Sequence, residues 1–123
     1  MQHVLLVDDE EAILYVFRKF LERAGFAVST AADAREAIAV AESGRIDALV
    51  TDLRMPGMTG DALVRQLRAA RPGLPAIIVT AYAAECSPAL ENVPVLNKPV
   101  PPADLVAAVQ RALGRVGERG AAV

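Results

Sequence analysis

The 123-residue sequence predicts a doubly wound α/β domain built on five parallel strands. Two observations carry that prediction. Five short apolar runs alternate with longer stretches whose apolar residues recur at helical spacing. Acidic residues, a threonine and a lysine also stand at or directly behind the ends of four of the five runs, where an open parallel sheet gathers its chemistry.

His3–Val7 (HVLLV) reads as the first strand, a continuous apolar run as befits a strand covered on both faces. Glu11–Ala24 carries Ile13, Val16, Phe17, Phe20 and Leu21 at helical spacing, and Gly25 stops it. Phe26–Thr30 is the second strand. Asp33 followed by Glu36 reads as a capping box that opens a helix through Ala41, with Gly44 beyond its end. Asp47–Thr51 is the third strand, and Arg54–Gly60 is a loop carrying Pro56, Gly57 and Gly60. Asp61–Ala70 forms a helix with Leu63, Val64 and Leu67 on one face, closed by the turn signal Pro72-Gly73. Ala76–Thr80 and Val93–Leu96 are strands four and five. Ala103–Leu113 is the last helix, with Leu105, Val106, Val109 and Leu113 spaced to face a core. Residues 1–113 are thus expected to form one domain and residues 114–123 a flexible tail.

Hydrophobic residues make up 54% of the chain and aromatics 4%, so the core must come from Val, Leu, Ile and Ala. A net charge of −2 offers no basic patch for nucleic acid. The lone Cys86 cannot form an internal disulfide, and no electropositive setting marks it as reactive. No secretory leader is evident, and no apolar run reaches the ~18 residues of a membrane span. A cytoplasmic protein without nucleic-acid or membrane partners is expected. His3, alone on the first strand, is read as structural rather than as a phosphohistidine.

The strand ends carry the chemistry. Asp8, Asp9 and Glu10 follow strand one, Asp52 follows strand three, Thr80 ends strand four, and Lys98 follows strand five. Asp8, Asp9 and Asp52 brought to one edge would repel unless a cation joined them, and hard oxygen ligands suit Mg²⁺. A carboxylate nucleophile, a metal, a lysine and a hydroxyl are what a transferring phosphoryl group requires. Each member alone has a plain structural reading, such as helix cap or solvated lysine. The ordered set points to an acyl phosphate formed on a carboxylate.

With VLLVDDEE, DALVTDLRMPGMTG, AIIVTAY and VLNKPV in this order, the chain resembles the receiver domain of two-component response regulators. The resemblance implies a flavodoxin-like strand order 2-1-3-4-5. It implies that Asp52 is the phosphoacceptor and that Asp9, Asp52 and the backbone carbonyl of Arg54 bind Mg²⁺ directly, with Asp8 acting largely through water. It further implies that Lys98 pairs with the acceptor and then with its phosphate, that Thr80 turns its hydroxyl toward the phosphoryl group, and that Pro99 follows a cis bond. The implied donor is the phosphohistidine of a histidine kinase or phosphotransfer protein. The reader is a downstream protein target that the sequence does not name, and the oligomeric state is left open.

Three features depart from that pattern. Val95 stands where relatives carry an aromatic residue, so a smaller side-chain rearrangement is expected, with Tyr82 as a substitute or simply a loop tyrosine. The segment from Thr80 to Lys98 is short, as in receivers appended to hybrid histidine kinases, with Ser87-Pro88 suited to start at most a short helix. Arg54 stands two residues past the acceptor, where it would contact the phosphoryl group, block water, or remain solvated. A haloacid-dehalogenase-like hydrolase is disfavoured, since Asp8-Asp9-Glu10 does not match its D-x-D motif and only Asp104 follows the lysine. A pseudo-receiver, acting by contact alone, is disfavoured because acceptor, acidic pair and lysine are all present. No turnover of an external substrate is expected.

Overall fold

A computed structural model describes residues 1–86 and 92–122, with side chains described as far as residue 114. Five strands, β1 (His3–Val7), β2 (Ala27–Ala31), β3 (Ala48–Asp52), β4 (Ala76–Thr80) and β5 (Val95–Asn97), form one sheet. The order is β2-β1-β3-β4-β5 and every neighbouring pair is parallel. Between them lie the helices α1 (Glu11–Arg23), α2 (Ala34–Ser43) and α3 (Gly60–Ala70). A 3₁₀ turn at Ala83–Glu85 follows β4, and α4 (Pro102–Ala122) follows β5.

Successive strand residues point to opposite faces, and both faces are covered. Val4, Leu6, Val50, Ile77 and Val79 pack against Phe17 and Leu21 of α1 and Leu105 and Val109 of α4. Leu5, Val7, Leu49 and Ala76 pack on the other side against Ala34 and Ala37 of α2 and Leu63, Val64 and Leu67 of α3. The α1 stripe is narrower than its spacing suggests. Phe17 and Leu21 are buried, whereas Val16 and Phe20 remain 40% and 38% exposed.

Element ends differ from the sequence reading for local reasons. Gly25 takes φ +99°, its N–H bonds Glu22 O and the Phe26 N–H bonds Leu21 O, so the α1 terminus claims Phe26 and β2 starts one residue later. The cross-strand partnership of Asp52 with Val79 carries β3 through the acidic residue itself. Pro94 has no N–H to donate, and β5 begins after it. The Asp33 side chain accepts from Glu36 N at 2.8 Å, but the Glu36 carboxylate reaches Ala32 N, one residue short of a reciprocal capping box. Pro102 occupies the first turn of α4. That helix runs on to Ala122, past Leu113, because glycine in a helix interior is penalised rather than forbidden. The Ser87-Pro88 helix start lies outside the described residues.

Gly60 is where fold and site meet. Its N–H bonds the carbonyl of Leu53 at 2.7 Å, closing the loop after β3 back onto the strand end. A Cβ built there would lie 2.0 Å from the Asp52 carbonyl oxygen and 3.1 Å from the Leu53 Cα. Both are backbone atoms that cannot swing aside. Gly60→Ala is therefore expected to lower stability by about 2 kcal/mol or more, measured by urea unfolding. A midpoint equal to that of the wild type would show that the α3 start is not held as tightly as this contact requires.

Candidate functional site

The carboxyl ends of β1, β3, β4 and β5 lie side by side, and each contributes one polar group. Four polar or charged residues are buried among the described residues: Asp8, Thr51, Asp52 and Thr80. Three of these four stand at the strand ends that the sequence marks.

Lys98 joins two of them. Its ammonium donates to Asp8 Oδ2 at 3.0 Å and to Asp52 Oδ2 at 3.1 Å. The remaining oxygens are held by backbone: Asp8 Oδ1 accepts from Glu10 N at 2.9 Å and Asp52 Oδ1 from Leu53 N at 2.7 Å. The Asp8 carboxylate thus orders the turn after β1 rather than capping α1, whose N-terminus has no side-chain cap bond. Lys98 is itself positioned from both sides. Its N–H bonds Thr80 O at 2.9 Å, and the Lys98–Pro99 bond is cis.

Thr80 is fully buried, and its hydroxyl accepts from Tyr82 N at 2.9 Å, tying the start of the next loop to the strand end. Thr51, one residue before Asp52, donates its hydroxyl to Asp52 O at 2.9 Å. Val95, half-buried, pairs with Ile78 at the sheet edge.

Asp8, Asp9 and Glu10 form the one acidic triple among the described residues whose oxygens all lie within 4.8 Å of one another. Glu10 enters the site beside the pair that the sequence reading selected. Its signal is its place directly after the two aspartates. Asp52 stands outside that triple and connects to it through Lys98. Three hard oxygen donors, one of them buried, make a set into which a small divalent cation such as Mg²⁺ fits.

Arg54 goes elsewhere. Its Nε donates to Glu85 Oε1 at 2.8 Å, its Nη2 to Glu85 Oε2, and its guanidinium lies 3.4 Å from the centre of the Tyr82 ring. The arginine is a half-exposed loop residue that the sequence alternatives describe only in part, because it is paired. Glu85 is the partner that the sequence reading does not single out, because a pairing across 31 residues has no local pattern. Tyr82 is an exposed loop residue beneath that arginine.

A profile of the response regulator receiver domain matches residues 4–110. The chain belongs to the response regulator receiver family. NtrC, a DNA-binding transcriptional regulator of Salmonella typhimurium, is 36% identical over 120 residues, which cover 94% of this chain and 26% of NtrC. The receiver domain of the hybrid histidine kinase CckA is 32% identical with a TM-score of 0.79, covering 90% of this chain and 98% of that one. The response regulator TrrA of Thermotoga maritima, solved in complex with Mg²⁺ and BeF, is 26% identical with a TM-score of 0.81, covering 91% and 99%. The chain spans 17–36% of the length of the first curated relatives it matches. It is a receiver domain of two-component signalling. Among the described residues no helix is long and apolar enough to cross a membrane.

The electrostatics of the receiver site are unbalanced. Burial pushes the Asp8 carboxyl above its ordinary value; the Glu10 N–H and Lys98 pull it back, and the Asp52 charge raises it further. Burial pulls the Lys98 ammonium down, but hydrogen bonds and charges from Asp8 and Asp52 outweigh it and leave it raised. The two directions agree: the lysine gains from two anions, whereas Asp8 is buried and has only a share of one cation. Elsewhere, burial with the Asp61 and Glu85 charges raises the Cys86 thiol, contrary to what a reactive cysteine needs. His3 Nε2 meets Ser29 Oγ at 2.7 Å, a structural contact.

Because the folded value of Asp8 lies above its unfolded one, its ionisation costs stability above the folded value. Below the unfolded value, near 3.9, the group is neutral in both states and the cost vanishes. Asp8→Asn in metal-free buffer is therefore expected to be more stable than the wild type at pH 7, with the advantage disappearing below about pH 4. Thermal unfolding across this pH range checks it, and a variant less stable at pH 7 would show that Lys98 needs both anions.

Proposed function

We propose that this receiver domain accepts a phosphoryl group on Asp52 from the phosphohistidine of a histidine kinase or phosphotransfer protein. The observation that carries the reading is the Lys98 ammonium shared between Asp8 and Asp52 at 3.0 and 3.1 Å. A carboxylate oxygen of Asp52 attacks the phosphorus, the P–N bond to the donor histidine breaks, and its electron pair returns to the imidazole nitrogen. Lys98 is placed to follow the charge onto the phosphoryl oxygens. Thr80 Oγ accepts from Tyr82 N, a role compatible with donating its own proton to a phosphoryl oxygen.

Asp8, Asp9, Asp52 and the backbone carbonyl of Arg54 are the residues we assign to Mg²⁺, with Glu10 adjacent. When bound, the ion offsets the gathered negative charge and polarises the phosphoryl oxygens. The acidic cluster supports Asp8 and Asp9 in this assignment, and the Mg²⁺ in the Thermotoga relative supports the choice of ion.

Phosphorylation adds about 1.5–2 negative charges at pH 7. Thr80 is tied to Lys98 by a backbone hydrogen bond and to Asn97 by cross-strand pairing, so charge at Asp52 bears on the loop after β4 and on the loop carrying Pro99 together. The signal passes to a protein that binds the shifted surface better than the resting one. With Val95 in place of an aromatic residue, the side-chain component of this shift is small. The domain transfers the group onto itself without turning over an external substrate, and it acts in the cytoplasm.

Incubation with acetyl phosphate and Mg²⁺ is expected to raise the intact mass by one phosphoryl group, and Asp52→Asn or chelation to abolish the gain. A phosphorylated Asp52→Asn would move the acceptor elsewhere. Absence of uptake by the wild type, also from a phosphohistidine donor, would favour signalling by contact alone. Saturating Mg²⁺ should also raise the thermal midpoint, by an amount corresponding to about 2.7 kcal/mol at one hundred times its Kd.

A further inference from the structure

Arg54 stands two residues after Asp52, so their Cα atoms are separated by at most about 7 Å of extended chain. Its guanidinium nonetheless turns away to the loop after β4. There Glu85 holds it with both carboxylate oxygens, and it lies over the Tyr82 ring, 3.4 Å from the ring centre. The Arg54 and Glu85 side chains are 53% and 48% exposed, so water competes for them and the strap is held by geometry rather than by burial.

The guanidinium fork matches a carboxylate and a phosphoryl group alike. A phosphoryl group on Asp52 would bring about 1.5–2 negative charges against the single charge of Glu85. The two would compete for one cation. The inner walls of the site are already assigned, since Thr80 is fully buried and Lys98 reaches Asp52 from within. With those positions taken, the half-exposed Arg54 would come to a phosphoryl group from the solvent side, where water would also attack.

We infer that Glu85 is a positioning residue that holds Arg54 off the solvent face of Asp52, with Tyr82 as the platform, and thereby keeps a phosphoaspartate short-lived. This rests on the reading of Asp52 as the acceptor. In the loss step, water attacks the phosphorus, the bond between phosphorus and the Asp52 oxygen breaks, and the electron pair stays on the carboxylate. Inorganic phosphate leaves with the water oxygen, and a proton passes to solvent. An arginine released from Glu85 would lie over the phosphoryl oxygens and shield that approach.

The test phosphorylates wild type, Glu85→Gln, Arg54→Ala and the double variant with acetyl phosphate and Mg²⁺, removes the donor, and follows decay of the phosphorylated mass. Arg54→Ala keeps the backbone carbonyl assigned to the metal. Glu85→Gln is expected to decay at least threefold more slowly than wild type, and to change nothing when Arg54 is already alanine. Equal or faster decay in Glu85→Gln would overturn the inference, as would the same slowing without Arg54. Wild type that takes up no phosphoryl group would overturn the acceptor reading and this inference with it. Uptake with an unchanged Glu85→Gln lifetime overturns the inference alone.

Discussion

One ammonium group holds three strand ends together. Lys98, past the end of β5, reaches across to Asp52 on β3 and Asp8 behind β1, with both contacts near 3 Å. Two carboxylates desolvated at one sheet edge would otherwise repel, and leaving either unpaired would cost far more than a surface ion pair returns. The sheet order makes this reach possible: β1, β3, β4 and β5 are neighbours, so a lysine behind the edge strand meets acids behind the middle ones. The balance is incomplete, since two anions share one cation. In the function proposed here, that surplus negative charge is what draws a divalent ion and makes the site sensitive to an added phosphoryl group.

The buried apolar core of the described residues lies behind that edge. Two apolar layers clamp the sheet, one with α1 and α4 and one with α2 and α3, and they meet in strands whose residues are almost wholly buried. Gly60 lets α3 begin against the Asp52 carbonyl, so the loop carrying Arg54 is short and returns at once to the core. What lies in front of the edge is held more lightly. Thr80 ties down Tyr82 through a single hydrogen bond, and Arg54 spans to Glu85 through an exposed ion pair. A buried, closely packed base with a solvent-screened strap in front suits a device that must respond to one added group without losing its fold.

The residues at the strand ends were legible because each is separated from its strand by no more than a residue or so, and a parallel sheet puts all carboxyl ends on one side. Asp8, Asp52, Thr80 and Lys98 needed only the strand positions and the topology. Pairings between loops were not legible. Arg54 with Glu85 and Tyr82 depends on how two loops of different length face each other, and nothing periodic records that. Val16 and Phe20 show the limit of periodicity within a helix. Spacing identified an apolar stripe on α1, but the width of the neighbouring layer decides how much of it is covered, and α4 leaves these two at the margin.

The sequence by itself determined the fold class, the family and the order in which the site residues arrive. Each of these is carried by local spacing: apolar runs of strand length, glycine and proline stops, and acids, threonine and lysine placed at or just behind four runs. Tertiary structure alone decided which charges are buried, which partners they take and which remain unbalanced, because burial and pairing depend on distances across the sheet rather than along the chain. It sent Arg54 to Glu85 and left Asp8 sharing one lysine with Asp52.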